Sequence, residues 1–88
     1  MSWVYKFDER ALKELRKLGQ QAQRDIVACL DERIAGDGDP RRFGKGLRAD
    51  LAGLWRYRVG DYRILCQIRD GELLVLVVAV GHRRDVYE

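Results

Sequence analysis

The chain is poor in the residues that build disulfides and metal sites, with two cysteines and one histidine. Cys29 and Cys66 lie far apart in apolar surroundings without metal-ligand spacing, so they read as two buried thiols and not as a disulfide or redox pair. With a single histidine beside them, no metal site is expected. Long hydrophobic runs are also missing. The longest, residues 73–80, falls far short of the roughly 20 residues that span a bilayer, so no membrane partner is expected. No basic leader followed by an apolar stretch opens the sequence, so no secretory signal is expected and a soluble, cytoplasmic protein is. Nor are there paired carboxylates for acid–base hydrolysis, a serine or cysteine nucleophile motif, a GxGxxG or a Walker loop. No cofactor is expected.

What is present is a core and a concentration of positive charge. The 88 residues, of which 47% are hydrophobic, suffice for one domain over residues 1–88 and little more. There are no repeats, linkers or low-complexity segments. The formal net charge of +3 is modest, but its distribution is uneven. Arg41, Arg42, Lys45, Arg48, Arg56, Arg58 and Arg63 fall within 23 residues against only Asp50 and Asp61, and His82, Arg83 and Arg84 follow near the end. Such clustering fits a polyanion site, with solvated surface charge as the alternative.

The chain predicts a short strand at residues 3–7, where aromatic and β-branched residues alternate. Asp8 suits an N-cap, Ala11, Leu12, Leu15 and Leu18 recur at helical spacing, and Gly19 suits a C-terminal stop. A second helix is expected over residues 20–35, with Ala22, Ile26, Cys29, Leu30 and Ile34 on its buried stripe, closed by the Gly- and Pro-containing segment 36–40. The second half reads as a meander with strands at 54–59, 62–69 and 72–80, joined at Gly60-Asp61 and Asp70-Gly71. The last strand, almost wholly apolar, is expected to be central. The fold class is α+β, two N-terminal helices in a hairpin packed on a small antiparallel sheet of about four strands.

The register of the hairpins separates two faces. Trp55, Tyr57, Val59, Tyr62, Ile64, Cys66 and Ile68 share one, the side against the helices, so the aromatics there are core and not base-stacking platforms. Arg56, Arg58, Arg63, Leu65 and Gln67 share the other. If Gly60-Asp61 is the turn, Arg58 directly opposes Arg63. Like charges so placed are destabilising, which gives the pair a reason to exist only if an anion such as phosphate binds between them. Leu74, Leu76, Val78 and Val80 continue this face beside Leu65, with no helix left to cover them. An exposed apolar docking patch for a partner is expected at Leu65, Leu74, Leu76 and Val78, unless the segment around residues 41–51 folds over it.

Fixed positive charges with a tyrosine and a histidine suit the attack of a ribose 2′-hydroxyl on its own phosphodiester. The nucleophile then belongs to the RNA, arginines neutralise the phosphorane, and tyrosine or histidine moves protons. Three stretches resemble one family. The opening Phe7-Asp8-Glu9-Arg10-Ala11-Leu12-Lys13-Glu14-Leu15-Arg16-Lys17-Leu18-Gly19 is similar to the first helix of RelE toxins. Arg56-Tyr57-Arg58-Val59-Gly60-Asp61-Tyr62-Arg63-Ile64 resembles their central hairpin, and Val80-Gly81-His82-Arg83-Arg84-Asp85-Val86-Tyr87 their C-terminal signature. The resemblance covers nearly the whole chain. It implies the RelE/ParE fold, a cognate RelB-like antitoxin as partner, and metal-independent cleavage of messenger RNA in the ribosomal A site.

Carried over by position, Arg63, Arg83 and Tyr87 match the family's phosphate-gripping arginines and catalytic tyrosine. Arg56 and Arg58 stand where familiar RelE toxins carry lysines, and arginine is a poor general base. Base duty then falls to Tyr87 or His82, with Arg83 assisting the leaving group and Arg56, Arg58 and Arg63 clamping phosphate. His82 is open between a proton-transfer role and a solvated strand end. Lys45, Arg48 and Arg84 are the further candidates for RNA contact. Two rivals remain, a ParE-like toxin that poisons DNA gyrase and a non-catalytic module that docks RNA or antitoxin.

Overall fold

Asp8 joins the first strand to the first helix, and its two hydrogen bonds show why the chain turns there. Its backbone N–H donates to the Val77 carbonyl at 2.9 Å, closing the strand, while its carboxylate accepts the Ala11 N–H at 2.8 Å as the helix cap. The protein is described by a computed structural model over residues 2–83. In chain order the elements are β1 (Val4–Phe7), α1 (Glu9–Arg16), α2 (Gln20–Arg33), β2 (Lys45–Gly46), β3 (Trp55–Val59), β4 (Tyr62–Arg69) and β5 (Leu74–His82), with short 3-10 turns at Pro40–Arg42, Ala49–Leu51 and Asp70–Glu72.

The sheet runs β1-β5-β4-β3-β2, so β5 lies inside the sheet, as its apolar composition requires. It has five strands and is mixed, not four and antiparallel. β1 lies parallel to β5, Val4 beside Leu74 through Phe7 beside Val77. It precedes the helices and takes the edge that β5 would otherwise leave unpaired. The two-residue β2 pairs antiparallel with β3. Both helices cover one face. Ala11, Leu15, Ile26, Leu30 and Ile34 meet Tyr57, Ile64, Cys66, Val75, Val77 and Val80 in one core, with Trp3, Trp55 and Tyr62 packed against it.

Three local expectations change. Gly19 does not stop α1, which ends at Arg16 with Lys17 as its cap. It is instead the N-cap of α2, in extended backbone at φ −63°. The Asp70-Gly71 signal becomes a wider turn closed by Leu73 in the left-handed region at φ 49°, so β5 starts at Leu74 and runs on to His82. Finally, β4 and β5 shift register between Leu65 and Cys66: Leu65 pairs with Ala79 but Cys66 with Val77. Val78 is the extra residue of a β-bulge, which exchanges the two faces beyond it. Val80 therefore lies in the core at 2% exposure, not on the open face.

The apolar patch expected on that face is also smaller. Leu65 and Leu74 are buried, Leu76 and Val78 half-buried, and among the described residues the exposed large hydrophobic is Val4. The physical reason is the length of their neighbours. Gln67 and Arg69, opposite Leu76 and Leu74 on this face, bond to each other at 3.0 Å, and such long side chains shield the leucines while keeping their polar ends wet.

Candidate RNA-binding face

The open face of β2, β3 and β4 carries the basic residues in register. Lys45 pairs with Arg56, Arg56 with Leu65, and Arg58 with Arg63, so four cations share one side of three adjacent strands. Directly paired residues hold their Cβ atoms about 5 Å apart. The guanidinium groups are accordingly crowded. Arg56 is nearly buried, and burial first, then the charges of Arg58 and Arg63, push its pKa below the ordinary arginine value. Arg63 is lowered as well, by desolvation and then by Arg58 and Arg83. Starting from so high a value, both keep their protons near neutral pH, and the result is dense positive charge.

Anchors outside the face hold it in shape. The Tyr57 hydroxyl donates to the Pro40 carbonyl at 2.8 Å and the Trp55 indole to the Phe43 carbonyl at 2.7 Å. Arg41 grips Asp70 with two bonds of 2.8 Å, tying the same segment to the turn before β5. Gly44 makes the approach possible. It sits at φ +81°, and a Cβ there would lie 2.3 Å from the Arg56 carbonyl oxygen and 2.7 Å from the indole nitrogen. Beyond β2 the chain bends back through Ala49, in the left-handed region at φ 56°, and forms a cleft of about 410 Å³. Lys45, Leu47, Arg48, Arg56 and Arg58 line it.

The far end of the face is made by β5. Arg63 lies opposite Gly81, which offers no side chain, and its Nη1 donates to the Arg83 carbonyl at 3.0 Å. The Arg83 N–H donates to the Asp61 carbonyl at 2.7 Å, so the end of β5 is tied to the β3–β4 turn. The structure thus brings together Lys45, Arg48, Arg56, Arg58, Arg63 and Arg83. It does not bring His82 to them. His82 pairs with Tyr62 and packs edge-on to its ring at 5.7 Å, on the helix side of the sheet. Arg84 and Tyr87 lie outside the described residues. Sequence reasoning missed Leu47 and Ala49 in the cleft wall, because two-residue β2 leaves no periodicity to read.

Elsewhere, burial raises the Cys66 thiol far above its ordinary value, which leaves it inert. Among the described residues no three His, Cys, Asp or Glu side chains converge as metal ligands, and no helix is long and apolar enough to cross a membrane.

Known proteins resemble this chain in sequence and in fold. The family described as "ParE toxin of type II toxin-antitoxin system, parDE" matches residues 5–87. Toxin RelG of Mycobacterium tuberculosis is 37% identical over 89 residues, spanning 99% of this chain and 98% of that protein. The mRNA interferase toxin RelE of Escherichia coli is 35% identical, spanning 94% of this chain and 85% of its own. The toxin–antitoxin complex RelBE2 of M. tuberculosis contains a chain that matches at a TM-score of 0.85 and 32% identity, covering 97% of this chain and 95% of that one. The isolated RelE toxin of E. coli matches at 0.74 and 32%, covering 91% and 83%. The chain therefore belongs to the RelE toxins of type II toxin–antitoxin systems, within the RelE/ParE superfamily.

Proposed function

We propose that this toxin is an endoribonuclease that cuts messenger RNA on the ribosome, with the substrate's own 2′-hydroxyl as nucleophile. The observation that carries this reading is the set of Lys45, Arg56, Arg58 and Arg63 on one sheet face, with Arg58 opposite Arg63. Its physical sense is that paired guanidinium groups bind the non-bridging oxygens of a phosphodiester bidentately and stabilise the second negative charge of the phosphorane. Because the attacking oxygen belongs to the RNA, the protein needs only to align it, neutralise charge and move protons. Arg56, Arg58 and Arg63 clamp the scissile phosphate and Arg83 assists the leaving 5′-oxygen. Lys45 and Arg48 carry the strand along the cleft, and Arg84 extends the contact. Tyr87 serves as base. His82, on the other face, is the weaker candidate. The E. coli relative, named as an mRNA interferase, supports the same chemistry.

The partner of such a toxin is an antitoxin. Related chains occur in complexes of that kind, and an antitoxin segment would lie against half-buried Leu76 and Val78, with buried Leu65 and Leu74 beneath it. The gyrase-poison reading makes the arginine face incidental. Two assays run side by side separate them: integrity of a defined message in a purified translation reaction, and supercoiling by purified gyrase. Message cut with gyrase unaffected is the expected result. Gyrase inhibited with message intact would overturn the proposal.

A further inference from the structure

The bulge in β5 decides which side of the sheet each of the last residues of the strand faces. Before it, Leu74 and Leu76 share the arginine face and Val75 and Val77 the helix face. After it, Ala79 and Gly81 stand opposite Leu65 and Arg63 on the arginine face, while Val80 and His82 stand opposite Ile64 and Tyr62 on the helix face. A ladder continued without the extra residue would reverse this, because a slip of one position exchanges every side chain between faces. Val80 would then stand opposite Arg63 in place of Gly81, with His82 on the arginine face in place of Arg83.

Val80 is paired with Ile64 just past the bulge, and β1 flanks β5 only as far as Val77, so a β5 N–H that points to that side beyond Val77 needs another acceptor. Here the Val80 N–H donates to Glu14 Oε1 at 3.0 Å, from α1 across 66 positions of sequence. The other carboxylate oxygen, Oε2, faces Arg10 Nε at 3.7 Å. Val80 is buried and Glu14 only partly exposed, so water competes weakly for the bond.

We propose that Glu14 is a positioning residue for the toxin's reaction: its carboxylate, by accepting the Val80 N–H, holds β5 just past its bulge, in the register that sets Gly81 and Arg83 beside Arg63. This rests on the ribonuclease reading above. The consequence is carried by bonds already described. Arg83 is placed by its N–H on Asp61, and its carbonyl in turn receives Arg63 Nη1. Loosening Val80 frees both ends of that contact without touching a residue of the phosphate clamp. No local signal announces the role, since Glu14 reads in sequence as one more charge on an exposed helix turn.

The test compares Glu14→Ala and Glu14→Met, which remove the acceptor, with Glu14→Gln, which keeps an acceptor oxygen at the same reach. Single-turnover cleavage of ribosome-bound message is measured at saturating toxin, together with hydrogen exchange of the Val80 amide by NMR. Misplacement of a charge-stabilising group by about 1 Å costs up to roughly 100-fold. The two acceptor-free variants are expected to cut 10- to 100-fold more slowly on that scale, with faster Val80 exchange, and Glu14→Gln to stay close to the parent in both. Ile26→Val, a core change in α2 that leaves the Glu14–Val80 bond itself in place, controls for lost stability alone and is expected to lower the melting temperature without slowing cleavage. Acceptor-free variants that cut at the parent rate, or that slow only as much as Glu14→Gln, would overturn the proposal. Should the parent toxin not cut message at all, the ribonuclease reading falls and the amide decides the latch by itself. Exchange accelerated only in the acceptor-free variants supports it, and equal exchange in all variants overturns it.

Discussion

Arg58 and Arg63 face each other across the β3–β4 ladder, and Arg63 reaches on through Nη1 to the Arg83 carbonyl at 3.0 Å. Two like charges in one cross-strand pair lower stability, and a multivalent anion placed between them reverses the effect. Sulfate and phosphate are expected to raise the melting temperature of the toxin more than chloride at matched ionic strength, because binding to the folded state alone adds stability. Arg58→Gln should lose that preference. Identical responses to sulfate and chloride in the parent would show that the face holds no anion.

Gly44 is the position where a single methyl group should disturb the face from outside it. Gly44→Ala places an alanine at φ +81°, which costs about 1–3 kcal/mol from backbone conformation. It also drives a Cβ against the Arg56 carbonyl oxygen at 2.3 Å, so β2 must shift and Lys45 with it. Gly53→Ala has comparable backbone strain at φ +93° but meets no atom within 4 Å. Thermal melts should show both variants destabilised, while RNA binding should weaken clearly more in Gly44→Ala. Equal binding by the two would mean that the position of β2 is irrelevant to the face.

Much of this face is legible from the chain alone, and the reason is locality. Asp8 caps its helix through a residue three positions away, and Arg58 opposes Arg63 because the Gly60-Asp61 turn leaves a single register for the hairpin. Trp55, Tyr57 and Tyr62 fall on the core side by strict alternation. The features that escape are non-local. β1 pairs with β5 across some 70 residues, and nothing in Val4–Phe7 encodes a parallel neighbour. The bulge at Val78 sits in an unbroken apolar run, where a shift by one residue leaves no trace in composition, so simple alternation puts Val80 on the wrong side of the sheet. Gly19 is ambiguous for a different reason, as glycine serves either end of a helix and the link between α1 and α2 is too short to separate the two. Arg84 and Tyr87, assigned by resemblance, lie outside the described residues.

The Arg41–Asp70 pair makes a statement about acid. Its hydrogen bond from Arg41, the largest cause, holds the Asp70 carboxyl below the ordinary value of 3.8. A depressed carboxylate contributes stability that is complete above its unfolded value and is lost as pH falls through the lower folded one. Asp70→Asn should therefore lower the melting temperature near neutral pH, and the gap to the parent should close as pH drops below 3.8. Both side chains are substantially exposed, so the gap is small. A gap that persists unchanged in acid would assign the loss to packing and not to the charge.

Leu76 tests the docking surface. It is half-buried on the arginine face, beside Lys6 of β1 and opposite Gln67 of β4. Leu76→Glu puts a carboxylate within reach of Lys6, so the fold is expected to tolerate it. An antitoxin segment laid against this side would instead bury an unpaired charge. Affinity for the cognate antitoxin is expected to fall at least 10-fold by calorimetry, equivalent to about 1.4 kcal/mol. Unchanged affinity would move the antitoxin to another surface.

The central claim, that crowded arginines on one sheet face cut message, is tested most directly by primer extension on a defined transcript in a purified translation system. Parent toxin, Arg63→Ala and Arg83→Ala are compared with ribosomes present and omitted. The predicted result is cuts within the A-site codon that require ribosomes and fall by about 100-fold or more in either variant, the scale on which a single charge-stabilising donor acts. Cuts that persist at full strength in both variants, or a message left whole by the parent toxin, would contradict it.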